Sequence, residues 1–314
     1  LIHADLRDAQ LRRANLQGAN LLLADFSGAD LSGCNLSHTT LHADNELGHV
    51  RQGPRFTDAN LYQADMRHAA CIRSDFSGAT LTEAQLQSGV LTGANLNELD
   101  LSALDLSRAD LSSARLRGAN LHSTTLFAAN LEHADLQGAT LTQADVRSAR
   151  LQSANLENAQ ADGIEYDRNT TFRGIRAVTC YGSSRFRRFA QDQDYIEEFR
   201  DAHPFYYAAW YVVTDCGRSI ARVVAWSLVI TVAFSLIYYA LGADAFTVSN
   251  ADGLGWTLFT TLYYSVVTFT TLGFGDITPY TRTAAAIVMV EVIVGYVMLG
   301  ILISILANKV ARRS

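Results

Sequence analysis

The chain has 314 residues, of which 49% are hydrophobic and 18% charged, with a formal net charge of −6. That length admits two domains, and the acidic balance gives no basis for a nucleic-acid partner. Four cysteines (Cys34, Cys71, Cys180, Cys216) without CxxC spacing read as free buried thiols in a reducing compartment, not as a disulfide framework or zinc cluster.

Residues 1–160 carry 18 acidic and 12 basic side chains, and the rest 13 of each, so the whole net charge belongs to the first half. Leu1 falls inside a repeat already under way and no initiator Met is present, so the lack of a signal peptide carries no weight. Every fifth residue from 1 to 156 is apolar at 30 of 32 positions, mostly Leu. Ala fills 21 of the 31 positions two residues before those centres. A period of five fits neither a strand nor a helix, because either would scatter the Leu row over several faces. This A-[D/N]-L-x-x pattern resembles the pentapeptide-repeat family over about half the chain. The resemblance implies an all-β, right-handed quadrilateral β-helix with four repeats per coil. Eight coils over 1–160 would make a solenoid roughly 35–40 Å long.

Residues twenty apart should then stack, Phe56 on Phe76 among them. Leu99 and Leu104 occupy normally small sites and predict a local bulge. Residues 42–55 lose the pattern and read as an irregular loop, with Gly48, Gly53 and Pro54 as turn signals. The Asp residues beside the centres (Asp5, Asp25, Asp65, Asp75, Asp145) suit hydrogen bonds to turn backbone. A DNA-mimicking acid row is disfavoured, since Arg and Asn interrupt it. His38, His42 and His49 with Asp44 and Glu46 match no known ligand spacing. No nucleophile–base pair suggests an enzyme.

Residues 161–204 read as a capping segment, with Ile164, Phe172 and Ile175 as candidate cover, followed by an amphipathic linker helix. Its apolar face would be Phe186, Phe189, Ile196 and Phe199. Residues 205–219, rich in Tyr and Trp, suit a helix at a membrane interface. The pore-domain region is 220–314. A first span runs over about 220–241 and a second over about 283–306. Arg218 and Arg222 precede the first, and Lys309, Arg312 and Arg313 follow the second, so both termini are expected on the cytoplasmic side.

Between the spans, residues 254–269 are too short to cross and precede Thr270-Thr271-Leu272-Gly273-Phe274-Gly275-Asp276. Thr271 to Asp276 resembles the Thr-x-Gly-aromatic-Gly-Asp filter of potassium channels. The resemblance implies an all-α two-span channel domain with a re-entrant pore helix and filter. It implies K+ coordinated by the backbone carbonyls of Thr271, Leu272, Gly273 and Phe274 in a homotetramer. Gly275 completes the filter, and Asp276, Thr270 and Val267 support it. Gly295, twenty residues beyond Gly275, stands at the hinge position, with Gly300 next; close helix packing through small residues is the alternative reading of these glycines. Tyr296, Leu299, Ile303 and Ala307 form one stripe and are the expected inner pore wall. Glu291, the intramembrane acid, lies off that stripe and is expected to hydrogen-bond a pore-helix hydroxyl such as Ser265 or Thr268, in a protonated form.

The expected protein is a potassium-selective channel in the bilayer of a prokaryotic plasma membrane, with a regulatory or assembling cytoplasmic solenoid. It needs no cofactor beyond the permeant K+. A nonselective cation channel, or a membrane-anchored scaffold whose solenoid binds a protein partner, are the alternatives.

Overall fold

A computed structural model describes residues 1–40, 53–249 and 255–311 in two compact units, Leu1–Glu198 and Phe199–Ser314. Most of the expected irregular loop (42–52, with His42, Asp44, Glu46, Gly48 and His49) lies outside the described residues. So do Leu254, where the pore helix was expected to begin, and Arg312 and Arg313.

The first unit is a four-sided β-helix. Each repeat bends at one corner: the Ala N–H donates to the Leu carbonyl three residues back, as from Ala14 to Leu11 at 3.0 Å. The third residue of the repeat has positive φ, such as 54° at Arg13 and 69° at Gly28, the sign pattern of a type II turn. Parallel pairs stitch the coils on all four sides (Asp5 with Asp25, Gln10 with Asp30, Asn15 with Asn35, Asn20 with Thr40). Leu and Ala point inward and are buried from Leu21 onward. Burying each Leu contributes roughly 1.5–3 kcal/mol before entropy. Cys34 and Cys71 sit in this core, where burial pushes their thiols up to about 11 and about 12, so both are unreactive.

The ladder survives the irregular loop. Asp25 pairs with Arg55, thirty residues on instead of twenty, so ten residues are inserted, two whole repeats. Register is therefore kept, and Phe26 joins the expected column: it stacks on Phe56 at 5.2 Å, and Phe56 on Phe76 at 4.8 Å. The expected bulge is present too. Leu99 and Leu104 are buried where other coils hold Ala, and the ladder lacks the pairs Thr80/Asp100 and Gln85/Asp105. Two Leu side chains in one narrow coil wedge it away from the preceding one.

The Asp carboxylates make the expected turn contacts, accepting from the N–H two residues on (Asp25 from Ser27, 3.0 Å; Asp145 from Arg147, 3.0 Å). The Arg67 and Arg147 guanidinium groups hold Asp65 and Asp145 below the usual carboxylate range, and Arg7 holds Asp5 at about 2.

The solenoid does not end at 160. Pairs Asp145/Glu165, Arg150/Thr171, Asn155/Arg176 and Gln160/Tyr181 continue it, with one extra residue absorbed where Asp167 accepts from the N–H groups of Asn169 and Thr170. Ile164 and Phe172 are therefore inward residues of a further coil, and the cover is a helix, α1 (Ser184–Ala202). Its buried stripe is Phe186, Ala190, Gln193 and Glu197; of the expected apolar face Phe186 is fully buried, and Phe189, Ile196 and Phe199 are half-buried. Phe186 and Phe189 pack on Phe172 and Tyr166. Two acids of this helix, Glu197 and Asp194, have a purpose that hydrophobic spacing hides. In the body of the solenoid, the N–H of each centre and of the residue two beyond it donate to the next coil. On the last coil those donors find carboxylates, Phe172 donating to Glu197 (3.3 Å) and Gly174 to Asp194 (2.6 Å), while Arg173 between them also donates to Glu197 (3.1 Å). The sheet edge is thus covered along that side of the last coil.

The second unit begins with α2 (Pro204–Thr214). It stops at Thr214, short of the expected 219, because Asp215, Cys216 and Gly217 all have positive φ (54°, 54° and 77°). The Gly217 N–H closes the turn on Thr214 Oγ1 at 2.9 Å. Ser219 caps α3 (Ile220–Leu241), and Trp226 Nε1 donates to the Val212 carbonyl at 3.1 Å, tying α3 back to α2. A short strand β1 (Phe246–Val248), helix α4 (Leu258–Phe269), strand β2 (Ile277–Pro279) and helix α5 (Arg282–Ala311) follow. At 30 residues, α5 is about 45 Å long, and α3 also passes for a membrane span, whereas α4 is only about 18 Å. Helix α4 packs on both α3 and α5.

Two outcomes are expected for the solenoid. Replacing Leu99 and Leu104 with Ala should close the wedge, so amide exchange at Leu81 and Leu86 slows towards that at Leu61 and Met66. Unchanged exchange would reject the wedge. Because Asp5, Asp65 and Asp145 are more acidic folded than unfolded, their contribution is full above the ordinary value of 3.8 and is lost progressively as pH falls below it, for Asp5 towards about 2. The urea midpoint of the solenoid should fall across that window, and less so with Asn at 65 and 145.

Candidate functional site

Helix α4 starts at a cap, Thr257 Oγ1 accepting from the Thr260 N–H at 3.2 Å. Its buried face carries Thr261, Tyr264, Ser265 and Thr268. Ser235 of α3 hydrogen-bonds Thr261 at 3.0 Å, and Ser265 donates to the Thr231 carbonyl at 2.8 Å. Tyr264 packs against the rings of Tyr238 and Phe246.

The last turn tightens before the chain leaves the helix. Thr270 Oγ1 donates to the Val266 carbonyl, the Thr271 N–H to Thr268, and the Leu272 N–H to Val267 at 3.0 Å. From there φ is positive at Thr271 (59°), Gly273 (55°) and Gly275 (73°) and not at the residues between. Alternating hand turns successive amides to one side of a strand, leaving carbonyls on the other. Glycine reaches positive φ without the strain a Cβ adds. Segment 271–275 is exposed, with Leu272 at 60% and Phe274 at 64% of their full surface, and Asp276 is half-buried. The exit is fixed by strand pairing: β2 lies antiparallel to β1, and the Asp276 carbonyl accepts from the Ser249 N–H at 2.8 Å.

Along α5, Tyr296, Leu299, Ile303 and Ala307 are exposed on one side while Met298 and Ile305 are buried on another. A cleft of about 340 Å³ runs beside that exposed side, lined by Leu228, Phe269, Thr271, Tyr296 and Leu299 among others. Gly295 is a contact point: a Cβ there would lie 2.3 Å from the carbonyl oxygen of Phe269, the last residue of α4. Gly300 has open space around it. Helix α5 continues unbroken through both.

Glu291 is fully buried. Ser265 of α4 and Tyr238 of α3 both hydrogen-bond its carboxyl group. The sequence reading named Ser265 and missed Tyr238. A signal was available: Ser227, Thr231, Ser235 and Tyr238 follow helical spacing along α3, as do Thr261, Ser265 and Thr268 along α4. Two hydroxyl stripes at that spacing predict facing helices. Val267 is buried, and its carbonyl accepts from Leu272 and lies 3.5 Å from Thr270 Oγ1.

Comparison with known families matches both units. The model described as pentapeptide repeats (8 copies) covers residues 4–42, 55–93, 90–122 and 129–164, and the one described as ion channel covers 226–312. No curated protein matches the chain. Among solved structures, HetL, a pentapeptide repeat protein involved in heterocyst differentiation regulation from the cyanobacterium Nostoc sp. strain PCC 7120, is 28% identical. That match covers 59% of this chain and 91% of HetL, with a TM-score of 0.20. The pentapeptide repeat protein alr5209 from Nostoc PCC 7120 is 41% identical over 32% of this chain and 83% of its own, with a TM-score of 0.27. The chain is a pentapeptide-repeat protein fused to a two-span ion-channel domain.

Proposed function

We propose that this ion channel is potassium-selective and that four copies of the chain surround one pore. The observation that carries the reading is segment 271–275, held at the C-terminal end of a short re-entrant helix with φ alternating in sign. One chain supplies one row of carbonyls, and a dehydrated cation needs a ring of them, which fourfold symmetry provides. The exposure of Leu272, Phe274 and the Tyr296 stripe in the single chain fits surfaces that face a pore or a neighbouring copy. The C-terminal end of α4 carries partial negative charge, which favours a cation below the filter. Phe274 lacks the hydroxyl that the commoner Tyr would place there, so the filter relies on the β1/β2 clamp and the turn at Thr270.

The basic residues Arg218, Arg222 and Lys309 flank the outer ends of the spans, which supports cytoplasmic termini and a plasma-membrane location. The solenoid then serves regulation or assembly from the cytoplasmic side. The contact of Gly295 with Phe269 gives it a packing role: the close approach of α5 to the end of α4 needs a residue without Cβ. Bending of α5, if it occurs on opening, has more freedom at Gly300.

Purified protein in liposomes is expected to pass K+ with a reversal potential near the K+ equilibrium value in mixed K+/Na+. A reversal near zero would mark a nonselective channel, and no flux above empty vesicles a scaffold. Gly275→Ala, which puts a Cβ on a residue at φ 73°, should abolish flux while the protein still assembles. Gly295→Ala should force α5 off Phe269 and reduce both flux and the thermal stability of the assembly. Wild-type behaviour would remove the close contact from the account.

A further inference from the structure

Glu291 sits where three helices meet. Its carboxyl group is fully buried in α5, with Tyr238 of α3 on one oxygen and Ser265 of α4 on the other. Ser265 is also 2.8 Å from the Thr231 carbonyl of α3. Counting hydrogens decides between two states of this cluster. A serine hydroxyl has one proton, and a backbone carbonyl has none. If Glu291 is ionised, Ser265 can serve Glu291 or Thr231 and not both. If Glu291 is protonated, Tyr238 donates to one carboxyl oxygen, the other donates to Ser265, and Ser265 donates to Thr231. Every contact is then filled.

Charge gives the same answer. The groups facing Glu291 are the phenol of Tyr238 from α3 and Ser265 from α4, with the phenol of Tyr264 nearby and Asp276 beyond it. Among the described residues no Lys, Arg or His faces it. An ionised carboxylate there would be buried without a countercharge, which folded proteins avoid by keeping the proton.

We propose that Glu291 is a neutral carboxylic acid whose proton clamps α4 to both spans, and that loss of this proton loosens α4 and lowers ion flow through the segment it carries. Glu291 is a positioning residue: it is off the exposed α5 stripe and acts on 271–275 through Ser265. The second half of the proposal rests on the conducting role given to that segment, and the first half does not.

Gln offers the same arrangement as the protonated acid, an oxygen to accept from Tyr238 and an N–H to donate to Ser265, and it cannot ionise. The full chain in liposomes is measured for K+ flux from neutral to alkaline pH, and by infrared absorption for the carbonyl stretch of a protonated carboxylic acid. The expected result is a severalfold fall in wild-type flux at alkaline pH, a flat profile in Glu291→Gln, and an acid band in wild type that the variant lacks. An equal alkaline fall in both proteins overturns the clamp. Absence of the band in wild type at neutral pH overturns the neutral acid. Should the Gln variant fail to assemble, Tyr238→Phe takes its place, and the band must shift because one carboxyl oxygen loses its donor; an unmoved band rejects the cluster. A band of the expected behaviour without flux in any protein would uphold the neutral acid and defeat the conducting role.

Discussion

A stretch of backbone that belongs to no helix and no wide sheet must have its polar groups met by something else, and this requirement organises the second unit. Residues 271–275 leave α4 with their first amides already paired to Thr268 and Val267, and they arrive at β2 paired to β1. These five residues have a defined alternation of φ. Where protein shields it, such irregular backbone is tolerated at membrane depth. The two spans flank α4, and hydroxyl groups, not only apolar contacts, register α4 against them.

The first unit meets the same requirement by repetition. Each coil satisfies the amides of the one before, and the difficulty is displaced to the ends. At the C-terminal end Glu197 and Asp194 accept from Phe172 and Gly174, donors that a further coil would have taken. Carboxylates on a helix can do this because the helix needs no edge partner itself and presents acceptors at its own spacing. Where the repeat rule is broken within the solenoid, the ladder opens locally and closes again one coil later, so an error in one coil is not passed on. This is the behaviour expected of a structure whose stability is summed between neighbours.

Much of this was legible in the residues. A row of Leu at every fifth position fits neither a strand nor a helix, and the resemblance to pentapeptide repeats supplied four repeats per coil, from which the Phe56/Phe76 column and the wedge at Leu99 and Leu104 follow. The two spans and the short segment between them follow from length against bilayer thickness. Other features resisted. The ladder beyond residue 160 is hidden because one extra residue shifts the repeat out of phase, and the eye loses a period that the backbone recovers with a single Asp turn. The buried face of α1 was only partly legible, because it includes the polar Gln193 and the acid Glu197, which apolar spacing does not mark.

The sequence by itself determined which side chains face inward in the solenoid, how many helices can cross a bilayer and which loop has the glycines to carry alternating backbone. Those properties are local, set by the order of residues a few positions apart. Only the tertiary structure decided that Phe26 joins a column across an insertion, that Gly295 touches Phe269, and that Tyr238, Ser265 and Glu291 share one point. Those residues are far apart in the chain, and no periodicity links them; their meeting depends on how α3, α4 and α5 pack.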